Sequence, residues 1–165
     1  MIDMSKTIEI RIAELFAGDH EYTIVTNGVG SCVVIVLYDA LARVGGMAHA
    51  ILPRSRGELY QKVTRDADGR LFAKYADTAI DLLVLEVEAR GASRDNLVAK
   101  LVGGAHMFTL LDGDKHGIGF ENTEAARTRL TELDIRIETE VIGGTVGRNV
   151  YFDCATGVVE IITKV

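Results

Sequence analysis

Residues 28–52 decide the fold: Gly28-Val29-Gly30-Ser31-Cys32-Val33-Val34-Ile35-Val36-Leu37-Tyr38-Asp39-Ala40-Leu41-Ala42-Arg43-Val44-Gly45-Gly46-Met47-Ala48-His49-Ala50-Ile51-Leu52. Two β-forming apolar runs, 32–38 and 44–52, flank the turn Asp39-Ala40-Leu41-Ala42, which is the pattern of an antiparallel hairpin. A loop centred between Ala40 and Leu41 places Cys32 directly opposite His49. Residues directly opposed on one face of such a pair have Cβ atoms roughly 4.5–5.5 Å apart, near enough for an imidazole to take a thiol proton. A slip of one residue would send the two side chains to opposite faces.

The pair has a recognisable chemistry. A glycine-rich turn lets a substrate approach the backbone closely, and the strand that follows fixes where the sulfur points. A free thiol titrates at about 8.5, and a neighbouring imidazolium lowers that value toward a thiolate. The thiolate attacks an acyl carbon, and the histidine returns the proton to a departing amine. The backbone N–H groups of the Gly30-Ser31-Cys32 turn are candidates for an oxyanion hole, which makes Gly30 and Ser31 cleft residues. Ser31 lacks the Gly-x-Ser-x-Gly elbow of a serine nucleophile. The structural alternatives are a cysteine serving as a small buried hydrophobe and a histidine that merely ends a strand.

Outward from the hairpin, strand patterns recur at 7–12, 22–26, 97–102, 135–142, 149–152 and 158–164. A helical stripe of Leu71, Tyr75, Ala79, Leu82 or Leu83, and Val87 runs over 71–90, with Gly91 as its stop. A second helix is expected over 123–133, capped by Asn122. Sheets carrying two helices on the outside form a layered α/β or α+β architecture, and 165 residues suit a single domain spanning 1–165.

Composition narrows the function classes. A net charge of −6 argues against nonspecific nucleic-acid binding, which needs a basic surface. Two cysteines, Cys32 and Cys154, form no disulfide framework and suit a reducing compartment. No signal peptide or membrane-length apolar run is evident, so a cytoplasmic location is expected. His20, His49, His106 and His116 are too scattered for a metal site, and no metal or cofactor is expected. The glycine pairs 45–46, 103–104 and 143–144 open no phosphate-binding motif. The polar stretch 54–69 reads equally as a docking flap or a solvated connector.

Several blocks, in order, resemble the chemoreceptor glutamine deamidases, the CheD family. They are Thr26-Asn27-Gly28-Val29-Gly30-Ser31-Cys32-Val33, Gly46-Met47-Ala48-His49-Ala50-Ile51-Leu52-Pro53, Lys74-Tyr75-Ala76-Asp77-Thr78-Ala79-Ile80 and Lys100-Leu101-Val102-Gly103-Gly104-Ala105-His106-Met107-Phe108. Ile118-Gly119 with Asn122, Gly143-Gly144 with Gly147-Arg148, and Thr156-Gly157 follow. The resemblance implies a β-sandwich-like core flanked by about two main helices. It also implies a cysteine nucleophile at Cys32, a histidine base at His49 and an orienting threonine at Thr26. Such enzymes convert glutamines of methyl-accepting chemotaxis receptors to glutamate, releasing ammonia, and some bind a CheC-type phosphatase. Where many members carry an arginine, this chain has Glu121, reversing a charge near the expected helix start. Alternatives to the enzyme are a non-catalytic chemotaxis regulator that binds receptors or such a phosphatase, and a small-molecule amidase or esterase.

Overall fold

β-branched and aliphatic runs alternating at period two dominate the chain, and they sort into two sheets. The computed structural model describes residues 6–55, 64–106 and 117–164. Among these, ten strands and two helices run in the order β1 (Thr7–Glu9), β2 (Glu14–Gly18), β3 (Thr23–Val29), β4 (Val33–Asp39), β5 (Val44–Ala50), β6 (Leu71–Phe72), α1 (Ala76–Ala89), β7 (Leu97–Gly103), α2 (Ile118–Glu132), β8 (Arg136–Ile142), β9 (Arg148–Asp153) and β10 (Val159–Thr163). One sheet has the order β1-β3-β9-β10 and the other β6-β2-β5-β4-β7-β8.

The strand β4 shows why the layers stack as they do. Every residue of it is buried. Val33, Ile35 and Leu37 join the cluster that includes Ile80, Leu83 and Val87 of α1 and Ala126 and Leu130 of α2. Val34, Val36 and Tyr38 join the cluster between the sheets, with Ile24, Val150 and Phe152. Successive side chains leave opposite faces of a strand, so β4 serves two cores at once. Sheet, sheet and helices form three layers, an α+β fold in agreement with the sequence expectation. Each fully buried aliphatic of this strand contributes about 1.5–3 kcal/mol relative to exposure.

Three local expectations need correction. The hairpin loop is one residue further along: Asp39 pairs with Val44, enclosing Ala40–Arg43. The Asp39 carboxylate accepts the Leu41 and Ala42 N–H groups, and Arg43 closes the loop at φ 55°. The 7–12 strand is shorter than expected, Thr7–Glu9 alone, and a further strand, Glu14–Gly18, follows it in the other sheet. Positions 10–13 cross between them, through Ala13 at φ 68°. Both helices are shifted too. Residues 71–72 form β6 and Lys74 accepts the Ile51 and Leu52 N–H groups, so α1 starts only at Ala76. Conversely, α2 starts at Ile118 behind Gly117, which puts Asn122 inside the helix, not at its cap. The stretch 54–69 lies partly outside the described residues, as do His116 and Met107-Phe108; Arg65 pairs with Glu86 of α1.

Candidate active site

His49 sits on the face of β5 that meets the second sheet, the same face as Met47. It is 1 % exposed. Thr26 comes from the opposite sheet: β3 turns Ile24 and Thr26 inward, and Thr26 is wholly buried. The two meet with Thr26 Oγ1 2.7 Å from His49 Nδ1. A hydroxyl has one proton, and Thr26 donates it to the Ile10 carbonyl at 2.8 Å. The threonine therefore accepts from His49, which fixes the proton on Nδ1 and leaves a lone pair on Nε2. Nε2 is buried and has no hydrogen-bond partner among the described residues. Thr26 thus acts on the orientation and tautomer of the ring at once.

Cys32 immediately precedes β4 and is 7 % exposed. Its position relative to His49 differs from direct opposition. His49 pairs with Val34, because the loop extends to Arg43. Cys32 lies one residue before β4, two before Val34, in a bend; strand alternation continued through that bend would carry the thiol to the inter-sheet face as a diagonal neighbour of the imidazole. In a regular sheet such neighbours are separated by roughly 7–8 Å. Beyond Ala50 the two strands part: Ile51 turns toward Lys74, and Ser31 toward α2. The thiol and the imidazole flank this fork.

The turn itself is held by its carbonyls. The Gly30 carbonyl accepts the Ala105 N–H at 2.9 Å, and that of Cys32 accepts the Gly104 N–H at 2.7 Å. Ser31 O accepts from the Asn122 side chain at 2.9 Å. With three successive carbonyls pinned, the N–H groups of Ser31 and Cys32, which share peptide planes with the first two, are directed the other way. Gly103, at φ 117°, lets β7 pass against this turn. Arg148 backs the same corner, donating to the Gly103 and Gly143 carbonyls at 3.2 and 2.8 Å.

Electrostatically the pair rests neutral. Burial pushes the Cys32 thiol up, against a smaller opposing pull from its own backbone N–H. Burial also takes His49 down to about 4. A resting thiolate–imidazolium pair, expected from the residue types, is thus disfavoured. The arrangement instead offers a neutral base that receives the thiol proton as attack proceeds.

The other sequence candidates fall elsewhere. Cys154 is fully buried, with its thiol pushed up to about 12 by burial and by Asp153. His106 lines a cleft of about 360 Å³ with Gly104, Phe120, Arg127 and Gly143, next to the turn and on its α2 side. Glu121 is exposed in the first turn of α2, where a carboxylate suits the helix dipole. Sequence reasoning missed Asn122 and Arg148 as parts of this corner. The signal was their polarity among buried positions: Asn122 precedes Thr123, Ala125 and Ala126 on the inner face of α2.

Residues 51–163 match the family model described as CheD chemotactic sensory transduction. The chain belongs to the CheD family. It is 43% identical to a protein of Halalkalibacterium halodurans named chemoreceptor glutamine deamidase CheD, over 93% of this chain and 91% of that one. It is 41% identical to a Pyrococcus abyssi protein named probable chemoreceptor glutamine deamidase CheD, over 95% of this chain and 91% of that one. The solved Bacillus licheniformis hypothetical protein YfiH overlaps 78% of the chain and 49% of its own at TM-score 0.45 and 16% identity. In this CheD chain the family-model match begins just past His49 and does not include Cys32, His49 or Thr26.

Proposed function

We propose that this protein is a chemoreceptor glutamine deamidase in which Cys32 is the nucleophile, His49 the general base and acid, and Thr26 the group that orients His49. The observation that carries the reading is the Thr26–His49 bond at 2.7 Å. It leaves Nε2 as a free buried base on the strand beside the cysteine turn. Cys32 Sγ attacks the carboxamide carbon of a glutamine side chain while its proton passes to Nε2. The developing oxyanion is met by N–H groups of the Gly30-Ser31-Cys32 turn. The C–N bond breaks as the imidazolium protonates the nitrogen, releasing ammonia and leaving a thioester. Water gives a proton to Nε2 and attacks; the C–S bond breaks, the thiol regains its proton, and glutamate is released.

The proposed substrates are glutamines on the cytoplasmic helical bundle of methyl-accepting chemotaxis receptors, which places the reaction in the cytoplasm. No helix among the described residues is long and apolar enough to cross a membrane. A CheC-type phosphatase is a further proposed partner, carried by the resemblance of the sequence. The names of the relatives favour the enzyme over a non-catalytic regulator.

The test is mass spectrometry of a receptor cytoplasmic fragment incubated with the protein and with Cys32→Ala and His49→Ala variants. Site-specific conversion of amide to acid by the wild type alone supports the assignment. Binding without conversion sinks it.

A further inference from the structure

The side chain of Asn122, on α2, reaches the fork between β4 and β5. Its Nδ2 donates to Ser31 O at 2.9 Å and to Ile51 O at 3.1 Å. Both partners are acceptors, so the amide can be placed only one way round. The last rung of the β4–β5 ladder is Val33 with Ala50; the next residues along are Cys32 and Ile51. Past that rung the strands no longer bond each other, and the Asn122 amide bridges them instead. One of its two bonds lands on the residue before the thiol. The other lands two residues beyond the imidazole.

The remaining atom of the amide makes a second, independent observation. Asn122 is 0 % exposed, and its Oδ1 is buried without a hydrogen-bond partner among the described residues. An orphaned buried acceptor costs about 1–3 kcal/mol. A residue kept only to fill this space would be apolar. Nor does Asn122 cap the helix, which begins four residues earlier at Ile118. Its two donors are what the position uses.

Both donors act on the proposed chemistry. The Ser31 carbonyl and the Cys32 N–H belong to one planar peptide. Holding the carbonyl toward α2 turns that N–H to the opposite side, and the N–H of a nucleophilic residue is a known type of oxyanion donor. The Ile51 bond sets how far β5 swings from β4, and with it the approach of His49 to the thiol.

We propose that Asn122 is a positioning residue, resting on the deamidase reading of Cys32 and His49: it clamps the Ser31 and Ile51 carbonyls and so fixes both the thiol–imidazole gap and the direction of the Cys32 N–H. Asn122→Asp keeps the volume and removes the paired donors; Asn122→Ala removes both volume and donors. Leu130→Ala, on the buried face of the same helix, controls for general loosening of α2.

Two readouts separate the proposal from the activity it serves. The first is the rate of Cys32 alkylation by iodoacetamide as a function of pH, followed in a Cys154→Ala background. The second is kcat and KM for deamidation of a receptor fragment. The Asn122 variants should shift the alkylation profile and lower kcat on the order of 100-fold, with KM changed far less, at temperatures where they remain folded. Leu130→Ala should lower the melting temperature but leave the profile in place. If Asn122→Asp reacts like wild type, or Leu130→Ala shifts the profile equally, the positioning role is overturned. If the wild type deamidates no receptor, the deamidase reading fails by itself. The alkylation profile still decides whether Asn122 governs the thiol.

Discussion

Gly103 lies so close beneath Cys32 that a Cβ on it would come within 2.4 Å of the Cys32 carbonyl oxygen. The contact is backbone against backbone, where nothing can rotate away. Gly103→Ala also forces an alanine to φ 117°, so strain and overlap each cost about 1–3 kcal/mol. We expect a melting temperature several degrees lower and deamidation lost by more than the unfolded fraction explains. Calorimetry alongside ammonia release at low temperature checks both.

Thr26→Val keeps the shape of the side chain but removes the atom between His49 Nδ1 and Ile10 O. Both of those groups then remain buried without the partner they had, at about 1–3 kcal/mol each. The imidazole also loses what fixes its tautomer. Turnover should fall by about 100-fold or more, while Thr26→Ser should keep most of it. Equal activity in the two variants would show that the hydroxyl does not hold His49.

Acid should weaken this protein through His49. Its folded value is about 4 and its unfolded value near 6.5, so the unfolded chain binds the proton first. Stability is complete above pH 6.5 and falls as pH drops from there toward 4, by about 3 kcal/mol in all. Urea melts across this window should flatten in His49→Gln. The same burial keeps the base neutral, so the acid limb of kcat/KM should lie well below pH 6.5.

Thiol labelling should distinguish the two cysteines. Cys32 is 7 % exposed and Cys154 is 0 % exposed, with Cys154 pushed up to about 12. Native protein should take one equivalent of a small alkylating agent, at Cys32, and lose activity with it. Cys154→Ala should leave turnover intact. Peptide mapping after partial labelling gives the order directly.

The hairpin could be read in the chain because two β-forming runs flank a polar turn. Its register could not: the centred loop sets Cys32 opposite His49, whereas His49 pairs with Val34, a two-residue offset. The offset was hidden because Arg43 adopts φ 55° without being glycine, and because the Asp39 side chain stabilises the longer loop. Ala13, at φ 68°, concealed the sheet crossing and hence β2 in the same way. Asn122 was misread because asparagine favours helix caps. Gly117 and Gly119 make the true first turn of α2 look like loop, yet Gly119 lets it pack on the Gly104-Ala105 backbone. Thr26 carried no local signal beyond β propensity; its role depends on an opposing sheet that only the tertiary fold supplies.

The crossover at residues 10–13 spans the site as well as the sheets. Ile10 O receives the Thr26 hydroxyl, while the Ala13 N–H holds the His49 carbonyl at 2.7 Å. Neither sheet alone contains both the histidine and the group that sets its proton. A chain whose layers have not yet closed carries the cysteine but has no oriented base to serve it. On the proposed assignment, competence for amide hydrolysis requires both layers to be closed on each other, and a molecule with its layers apart is chemically quiet toward glutamine.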